Sequence, residues 1–226
     1  MTTILITGAA RGIGRALCED ALRRGWDVIG SVRDAETAKA LEAELGSRFR
    51  ALVFDVTDAA AIAKAADELD GPIDILINNA GVIGPGRQST LDMDFDGFAQ
   101  TLAVNVLAPL RVAQAFLPYL KRSAKPRLLT ISSNMGSMSS TGSDHLAYRA
   151  SKAAVNKVTQ GLATDVQPSG IAVVSIHPGW VRTDTGGRGA DIEAGESAKG
   201  ILDIAARLDL AGTGKFLRYD GSEMAW

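Results

Sequence analysis

Thr3-Ile4-Leu5-Ile6-Thr7-Gly8-Ala9-Ala10-Arg11-Gly12-Ile13-Gly14 runs from an apolar stretch through a glycine turn into an amphipathic segment. Residues 4–7 read as a strand, and residues 14–24 as a helix stopped by Gly25. Gly8, Gly12 and Gly14 allow a tight turn and let the main chain approach a ligand. The helix behind them offers unpaired N–H groups and the positive end of its dipole, which suits a pyrophosphate. A glycine triplet alone is a weak signal, because any strand-to-helix turn can be glycine-rich. The rest of the chain decides whether this turn cradles phosphate.

Outward from the turn, short apolar runs alternate with amphipathic ones to the end of the chain. Strands are expected over 27–32, 50–55, 73–78, 127–132, 171–177 and 215–219. Helices are expected over 35–45, 59–69, 95–121, 148–166 and 197–208, with the 95–121 helix adjusted at Pro109. Runs such as Ile171-Ala172-Val173-Val174-Ser175-Ile176 are nearly continuous in apolar residues, as in strands covered on both faces. The pattern predicts an α/β chain with a Rossmann fold, a doubly wound parallel sheet of about seven strands joined by right-handed crossovers. No linker, repeat or low-complexity tract divides residues 1–226, so a single domain is expected. Ligands of such a sheet bind beyond the carboxyl ends of its strands.

Bulk properties narrow the function classes. Of 226 residues, 46% are hydrophobic and 22% charged, enough apolar material for a sizeable core. Net charge is −2 without a long run of one sign, which argues against nucleic acid or an anionic membrane as partner. No apolar stretch reads as long enough to span a bilayer. The chain enters a strand almost at once, with no signal peptide in view, so a cytoplasmic protein is expected. Cys18 is the only cysteine, which excludes an internal disulfide and a cysteine metal cluster; its place in the first helix suits a buried apolar role. His145 and His177, the only histidines, read as structural or pocket-edge residues, and no metal site is assigned.

Tyr148-Arg149-Ala150-Ser151-Lys152 carries the chemistry. Tyr148 and Lys152 stand at i and i+4 of an expected helix and share a face. Free tyrosine titrates near about 10, and a nearby ammonium and a nicotinamide positive charge would both favour the phenolate, moving the phenol toward useful acid–base work. The pair opens a long helix directly after the fifth strand and its loop. Together with the Thr-Gly-x-x-x-Gly-x-Gly spacing of residues 7–14, it makes the chain resemble the short-chain dehydrogenase/reductase family over nearly its whole length. The C-factor-like branch, with a similar Tyr-Arg-x-Ser-Lys and a longer loop before it, is the most similar.

The resemblance implies a site. Tyr148 would be the general acid in reduction and the base in oxidation. Lys152 would lower its pKa and hold the nicotinamide ribose. Ser133, in Thr130-Ile131-Ser132-Ser133, would give the second hydrogen bond to a substrate carbonyl, with Ser132 as the alternative. Ser133 precedes Tyr148 by 15 positions (148 minus 133), slightly more than the family's commonest spacing, which places a small insertion in 135–145. Asn105 matches the family asparagine that holds a water linking the lysine to bulk solvent. Gly8, Arg11, Gly12, Ile13 and Gly14 would face the pyrophosphate, and Asp55 and Val56 the adenine. Asn79, Ala80 and Gly81 would border the ribose while also fixing the sheet. Pro178 and Gly179 would abut the nicotinamide, with the Val181 main chain and the Thr183 hydroxyl on its carboxamide. Asp55 or Thr57 also suits the cap of the following helix.

The end of the second strand reads Ser31-Val32-Arg33. Val32 stands where NAD-preferring relatives usually carry Asp, and the Arg33 guanidinium suits a phosphate. Arg11 matches a second basic position of NADP-preferring relatives, so NADP(H) is expected over NAD(H). Asp34 comes one residue too late for a ribose ligand unless the loop shifts. A short glycine-rich segment at 184–190 reads as a small mobile lid. Met135, Met138 and Trp180 are candidate apolar walls, and Arg188 is a carboxylate reader or a solvated loop residue. The substrate site would be built from the loops after the fourth to sixth strands, taking a small-molecule carbonyl or alcohol without a large anionic tail. Family members pair through their two long helices, so a homodimer or homotetramer is expected, with Leu102, Val106, Leu110, Ala113 and Leu117 recurring at helical spacing. Two rival readings stay open: a nucleotide-binding signalling protein of C-factor type with incidental turnover, and an NAD-linked alcohol dehydrogenase.

Overall fold

In chain order the elements are β1 (Thr3–Ile6), α1 (Gly12–Arg23), β2 (Asp27–Val32), α2 (Ala35–Leu45), β3 (Phe49–Val53), α3 (Ala59–Asp67) and β4 (Ile75–Asn78). A hairpin of β5 (Gln88–Ser89) and β6 (Asp92–Met93) follows, then α4 (Phe95–Leu102), α5 (Ala108–Leu120) and β7 (Arg127–Ile131). The chain closes with α6 (Leu146–Val166), β8 (Ala172–His177), α7 (Ala194–Arg207) and β9 (Phe216–Arg218). The structure is a computed structural model that describes residues 1–187 and 189–226. Arg188, weighed above as a carboxylate reader, therefore lies outside the described residues.

Seven strands form one parallel sheet in the order β3-β2-β1-β4-β7-β8-β9. The order reverses between β1 and β4, which opens the crevice where such folds bind ligands. All of β4 and β8 are buried, which is why these strands read as near-continuous apolar runs. Residues of α1, α2 and α7 bury one face of the sheet, with Leu17, Leu41 and Ile201 in that layer. Residues of α3, α5 and α6 bury the other, with Ile62, Phe116 and Ala163. Both layers are required by the doubly wound topology, and both are present in a single Rossmann-like domain.

Local signals explain most boundaries. Asp34 caps α2 by accepting from Thr37 N–H at 2.8 Å, and Asp94 caps α4 through Gly97 N–H at 2.9 Å. Asp58 caps α3 through Ala60 and Ala61 N–H, both at 3.0 Å. That corrects the assignment of this cap to Asp55 or Thr57, because Asp55 instead closes a local turn onto Thr57. The long helix expected over 95–121 is continuous but not uniform. Ala103–Leu107 is a wide π turn, with Ala108 N–H donating to Ala103 O. Pro109 has no N–H to give and its ring crowds the carbonyl four residues back, that of Asn105. The wide turn absorbs that conflict.

Joined, α4, the π turn and α5 make one helix over Phe95–Leu120 that is long and apolar enough, by length and composition, to cross a membrane. The sequence reading had found no such stretch. Its apolar residues have another use here: Val112, Ala113, Phe116 and Leu120 are buried against the sheet. Cys18 is fully buried in α1, and burial pushes its thiol up to about 12, so it behaves as a small apolar side chain.

Candidate active site

The turn after β1 is a backbone cradle. Gly8 and Gly12 adopt left-handed φ of 70° and 56°. A Cβ on Gly14 would lie 2.1 Å from the Gly8 carbonyl oxygen and 2.6 Å from Asn79 Nδ2. Asn79 is the staple: its Nδ2 donates to Thr7 O at 2.9 Å and its main-chain N–H to Thr7 Oγ1 at 2.9 Å. The end of β4 thereby fixes the end of β1. No side chain caps α1, which leaves its first N–H groups facing the crevice.

A cavity of about 960 Å³ runs from this turn along the carboxyl ends of the strands. Among the residues singled out as site residues from sequence, every one except Asn105 lines it. Arg33 is exposed at the end of β2, and Asp34 is committed to the α2 cap, so Asp34 does not turn back toward a ribose. Ser31 Oγ accepts from Gly8 N–H at 3.2 Å, so its hydroxyl supports the turn. Arg11 pairs with Asp184 at 2.7 Å, with both side chains about three-quarters exposed. An exposed pair contributes roughly 0–1 kcal/mol, too little to hold Arg11 away from a phosphate.

At the other end of the cavity lie Ser133, Tyr148 and Lys152. Lys152 is 5% exposed and its Nζ donates to Ile131 O at 2.9 Å, 5.6 Å from the centroid of the Tyr148 ring. Desolvation lowers the Lys152 ammonium to about 8. Burial raises the Tyr148 phenol above its usual value, while a hydrogen bond with Ser133 pulls it down. The expectation that Lys152 lowers this phenol is therefore not what the protein alone produces: at Tyr148 desolvation outweighs every other influence. Of the two serines, Ser132 is turned inward, its Oγ donating to Lys152 O at 3.4 Å. Ser133 is the one coupled to Tyr148.

Asn105 sits in the π turn and holds the loop after β4. Its Oδ1 accepts from Val82 N–H at 2.9 Å, and its Nδ2 donates to Val82 O at 2.8 Å and Ser151 Oγ at 2.9 Å. Ser151 Oγ in turn donates to Tyr148 O. Both amide hydrogens of Asn105 are thus used in tying β4, the long helix and α6 together.

The burial of Lys152 gives a stability prediction. Its pKa is about 8 folded against 10.5 for the unperturbed group, so between those values the unfolded chain binds more protons. Stability is therefore lowest below pH 8 and rises as pH climbs from 8 toward 10.5. The shift is worth roughly 3 kcal/mol, and the loss of the Ile131 partner offsets about 1–2 kcal/mol of that. Lys152→Met should be more stable than the wild type by about 1–2 kcal/mol near neutral pH, with the gap closing above pH 9. Urea unfolding across pH checks this; a Met variant less stable at pH 7 would contradict it.

Two features were invisible in the sequence. Gln88, buried in the small hairpin, accepts from Tyr148 N–H at 3.1 Å and so caps α6, while its Nε2 donates to Pro85 O at 2.8 Å. A two-residue strand has no periodicity to reveal it. His145 starts α6 with φ 50°, the only left-handed non-glycine among the described residues, and its Nδ1 meets Gln88 Nε2 at 3.3 Å. Of the expected apolar walls, Met135 and Trp180 line the cavity, but Met138 does not and is 81% exposed. Two described residues of the 184–190 segment are tied to the loop after β8: Trp180 Nε1 donates to Gly186 O at 2.8 Å and Arg182 Nε to Ala190 O at 2.8 Å.

Comparisons with known proteins agree with this architecture. The family described as short chain dehydrogenase matches residues 2–191. C-signal of Myxococcus xanthus is 41% identical over 163 residues, covering 72% of this chain and 98% of that protein. Serine 3-dehydrogenase of Rhizobium radiobacter is 36% identical over 220 residues, covering 93% and 85%. Among solved structures, the carbonyl reductase Sniffer of D. melanogaster superposes with a TM-score of 0.93 at 32% identity over the full length of both chains. NADPH-bound carbonyl reductase from chicken fatty liver gives 0.92 at 32% identity, covering 100% of this chain and 99% of that one. The chain belongs to the short-chain dehydrogenase/reductase family. It is an oxidoreductase of the class that interconverts CH–OH and C=O with a nicotinamide cofactor.

Proposed function

We propose that the protein is an NADPH-dependent reductase of small-molecule aldehydes or ketones, acting through Ser133, Tyr148 and Lys152. The observation that carries this reading is the single cavity joining the glycine cradle and Arg33 at one end to those three side chains at the other. The residues fit the cofactor: a Cβ would fill the cradle at Gly14, and the first turn of α1 is left open to an anion. Gly8, Arg11, Gly12, Ile13 and Gly14 would hold the pyrophosphate, Asp55 and Val56 the adenine, and Asn79, Ala80 and Gly81 the ribose. Pro178, Gly179, Val181 and Thr183 would hold the nicotinamide end with Lys152. The cofactor, when bound, supplies the hydride.

The chain's own residues supply the proton and its control. Ser133 and Tyr148 hold the substrate oxygen between two donors, and Tyr148 gives its proton to that oxygen as charge develops there. Burial keeps the phenol protonated at neutral pH, which favours the reduction direction. Lys152, charged at neutral pH, stabilises the phenolate left behind. Asn105 is a positioning residue, since its side chain is spent on Val82 and Ser151. Met135 and Trp180 present apolar surface to the substrate. The reading includes a cytoplasmic homodimer or homotetramer, for which the half-buried Leu102 and Leu110 and the 47% exposed Leu107 offer apolar surface along the long helix. Light scattering of the purified chain tests the assembly.

Arg33 decides between this reading and an NAD-linked alcohol dehydrogenase. A charge-assisted hydrogen bond to a 2′-phosphate is worth about 1.5–3 kcal/mol, so Arg33→Ala should weaken NADPH binding roughly 10- to 100-fold and leave NADH unchanged. Equal effects on both cofactors, measured by fluorescence titration, would favour the NAD reading. The similarity to C-signal supports a second alternative, a signalling protein that binds nucleotide and turns over incidentally. Tight NADPH binding without Tyr148-dependent turnover on any of a panel of aldehydes and ketones would favour it.

A further inference from the structure

β7 and β8 pair in parallel up to Ser132, whose N–H donates to Ile176 O at 2.7 Å. A parallel ladder would next join Asn134 N–H to Pro178 O. That bond is not made, and Pro178 O accepts from Ser197 Oγ at 2.6 Å. Asn134 N–H instead donates to the imidazole Nδ1 of His177 at 3.2 Å. A side chain from the last residue of β8 thus replaces a rung of the sheet. It does so at the residue next to Ser133, where the chain leaves β7 and turns through Asn134–Gly136.

The turn closes on itself through Gly136 N–H to Ser133 O at 2.9 Å and Ser137 N–H to Asn134 O at 3.1 Å, and Gly136 packs on α6 at Lys152; the His177 bond is what ties its first N–H to the sheet. Ser133 Oγ accepts from Met135 N–H at 3.1 Å and rests its one proton on Asn134 Oδ1 at 3.2 Å, from which it would turn to a substrate oxygen, so the two residues that follow set the position of the serine oxygen. Their placement depends on where Asn134 N–H is anchored. His177 is itself held, 9% exposed, with its main-chain oxygen accepting from Tyr219 N–H at 2.9 Å and its strand paired to β9 at Arg218. Because an N–H can only donate, Nδ1 must be the acceptor and the ring proton sits on Nε2. Burial, and then the Arg218 guanidinium, push the ring down to about 4, against a smaller opposite pull from Asp220, so the Nδ1 lone pair is available at neutral pH.

We infer that His177 is a positioning residue for the Ser133 hydroxyl, acting through the Asn134 N–H. The inference rests on Ser133 being the second donor to the substrate oxygen. Three substitutions separate it from a merely structural role. Asparagine places Oδ1 roughly where Nδ1 stood, glutamine does not, and leucine fills space without an acceptor.

The experiment measures kcat and KM for carbonyl reduction, NADPH affinity, and amide hydrogen exchange at Asn134 in His177→Asn, His177→Gln and His177→Leu. Ser133→Ala is run beside them. His177→Asn should stay within about threefold of the wild type in kcat and keep the Asn134 amide protected. His177→Leu and His177→Gln should lose roughly 10- to 100-fold in kcat, less than Ser133→Ala, with NADPH affinity little changed and the Asn134 amide exposed to exchange. Should the leucine or glutamine variant match or exceed the asparagine variant in kcat, or the Asn134 amide stay protected in the leucine variant while Ser133→Ala is impaired, the inference is overturned and the catalytic reading stands. Wild-type turnover in Ser133→Ala overturns both.

Discussion

Tyr148→Phe should lower kcat for NADPH-dependent carbonyl reduction by about 10²–10⁴-fold, the range typical of a general acid, while leaving NADPH affinity within about threefold. The substitution removes one oxygen. The ring remains for the Lys152 ammonium, 5.6 Å from its centroid, and the helix remains capped by Gln88, which bonds the main chain of Tyr148. What disappears is the proton that has to reach the substrate oxygen. Ser133 can still donate a hydrogen bond, so residual activity should persist at the level of oxygen stabilisation alone. Stopped-flow measurement of hydride transfer isolates the step, and a variant retaining more than a tenth of wild-type turnover would remove Tyr148 from the mechanism. The raised phenol also gives a direction-dependent pH profile: reduction should be flat through neutral pH, and alcohol oxidation should rise with pH because it needs the phenolate.

Gly14→Ala should be strongly damaging to both the fold and cofactor binding. Its Cβ would meet the Gly8 carbonyl oxygen at 2.1 Å and Asn79 Nδ2 at 2.6 Å. Both partners are fixed, the first as backbone and the second by its bonds to Thr7 and Gly8. Overpacking of a well-packed site costs about 1–3 kcal/mol, and a clash with backbone belongs at the upper end. Relief requires the β1–α1 turn to open, so the same change should also weaken NADPH binding, by roughly 10²-fold on the 2–3 kcal/mol scale. Gly161→Ala is the matched control. Gly161 lies inside α6 with nothing near its missing Cβ, so alanine there should stabilise the fold by about 0.5–1 kcal/mol. Thermal melts and fluorescence titration of the two variants check the pair; equal melting temperatures would refute the contrast.

The parts of this protein legible in its sequence are those with a local cause. Buried parallel strands announce themselves as apolar runs, glycine marks the turn that backbone sterics demand, and the helical spacing of Tyr148 and Lys152 needs no tertiary knowledge. Contacts made across the fold left no trace. Gln88 reaches α6 from a hairpin 60 residues away in sequence, and His177 stands in for a ladder bond next to a Pro178 carbonyl that accepts from Ser197. Arg11 was legible as a basic group at the phosphate turn, but not as the partner of Asp184. The upward shift of the Tyr148 phenol in the protein without cofactor is hidden from the sequence for a related reason. Charge proximity can be read from spacing, whereas desolvation depends on everything packed around the group. Helical periodicity across 95–121 shows that some of Leu102, Val106, Leu110, Ala113 and Leu117 must face the core but not which: Val106 and Ala113 are buried and the others half-buried.

The π turn at Ala103–Leu107 bears on how this chain can be recombined with its relatives. One residue more than an α-helical turn holds puts the faces before and after it out of phase by about 100°. A chimera in which 103–107 is replaced by a regular helical turn one residue shorter would rotate α4 relative to α5 by that angle and remove the setting that aims Asn105 at Val82 and Ser151. The segment from Phe95 to Pro109 is therefore an indivisible cassette, and crossover points belong in the hairpin before it or in α5 beyond Pro109.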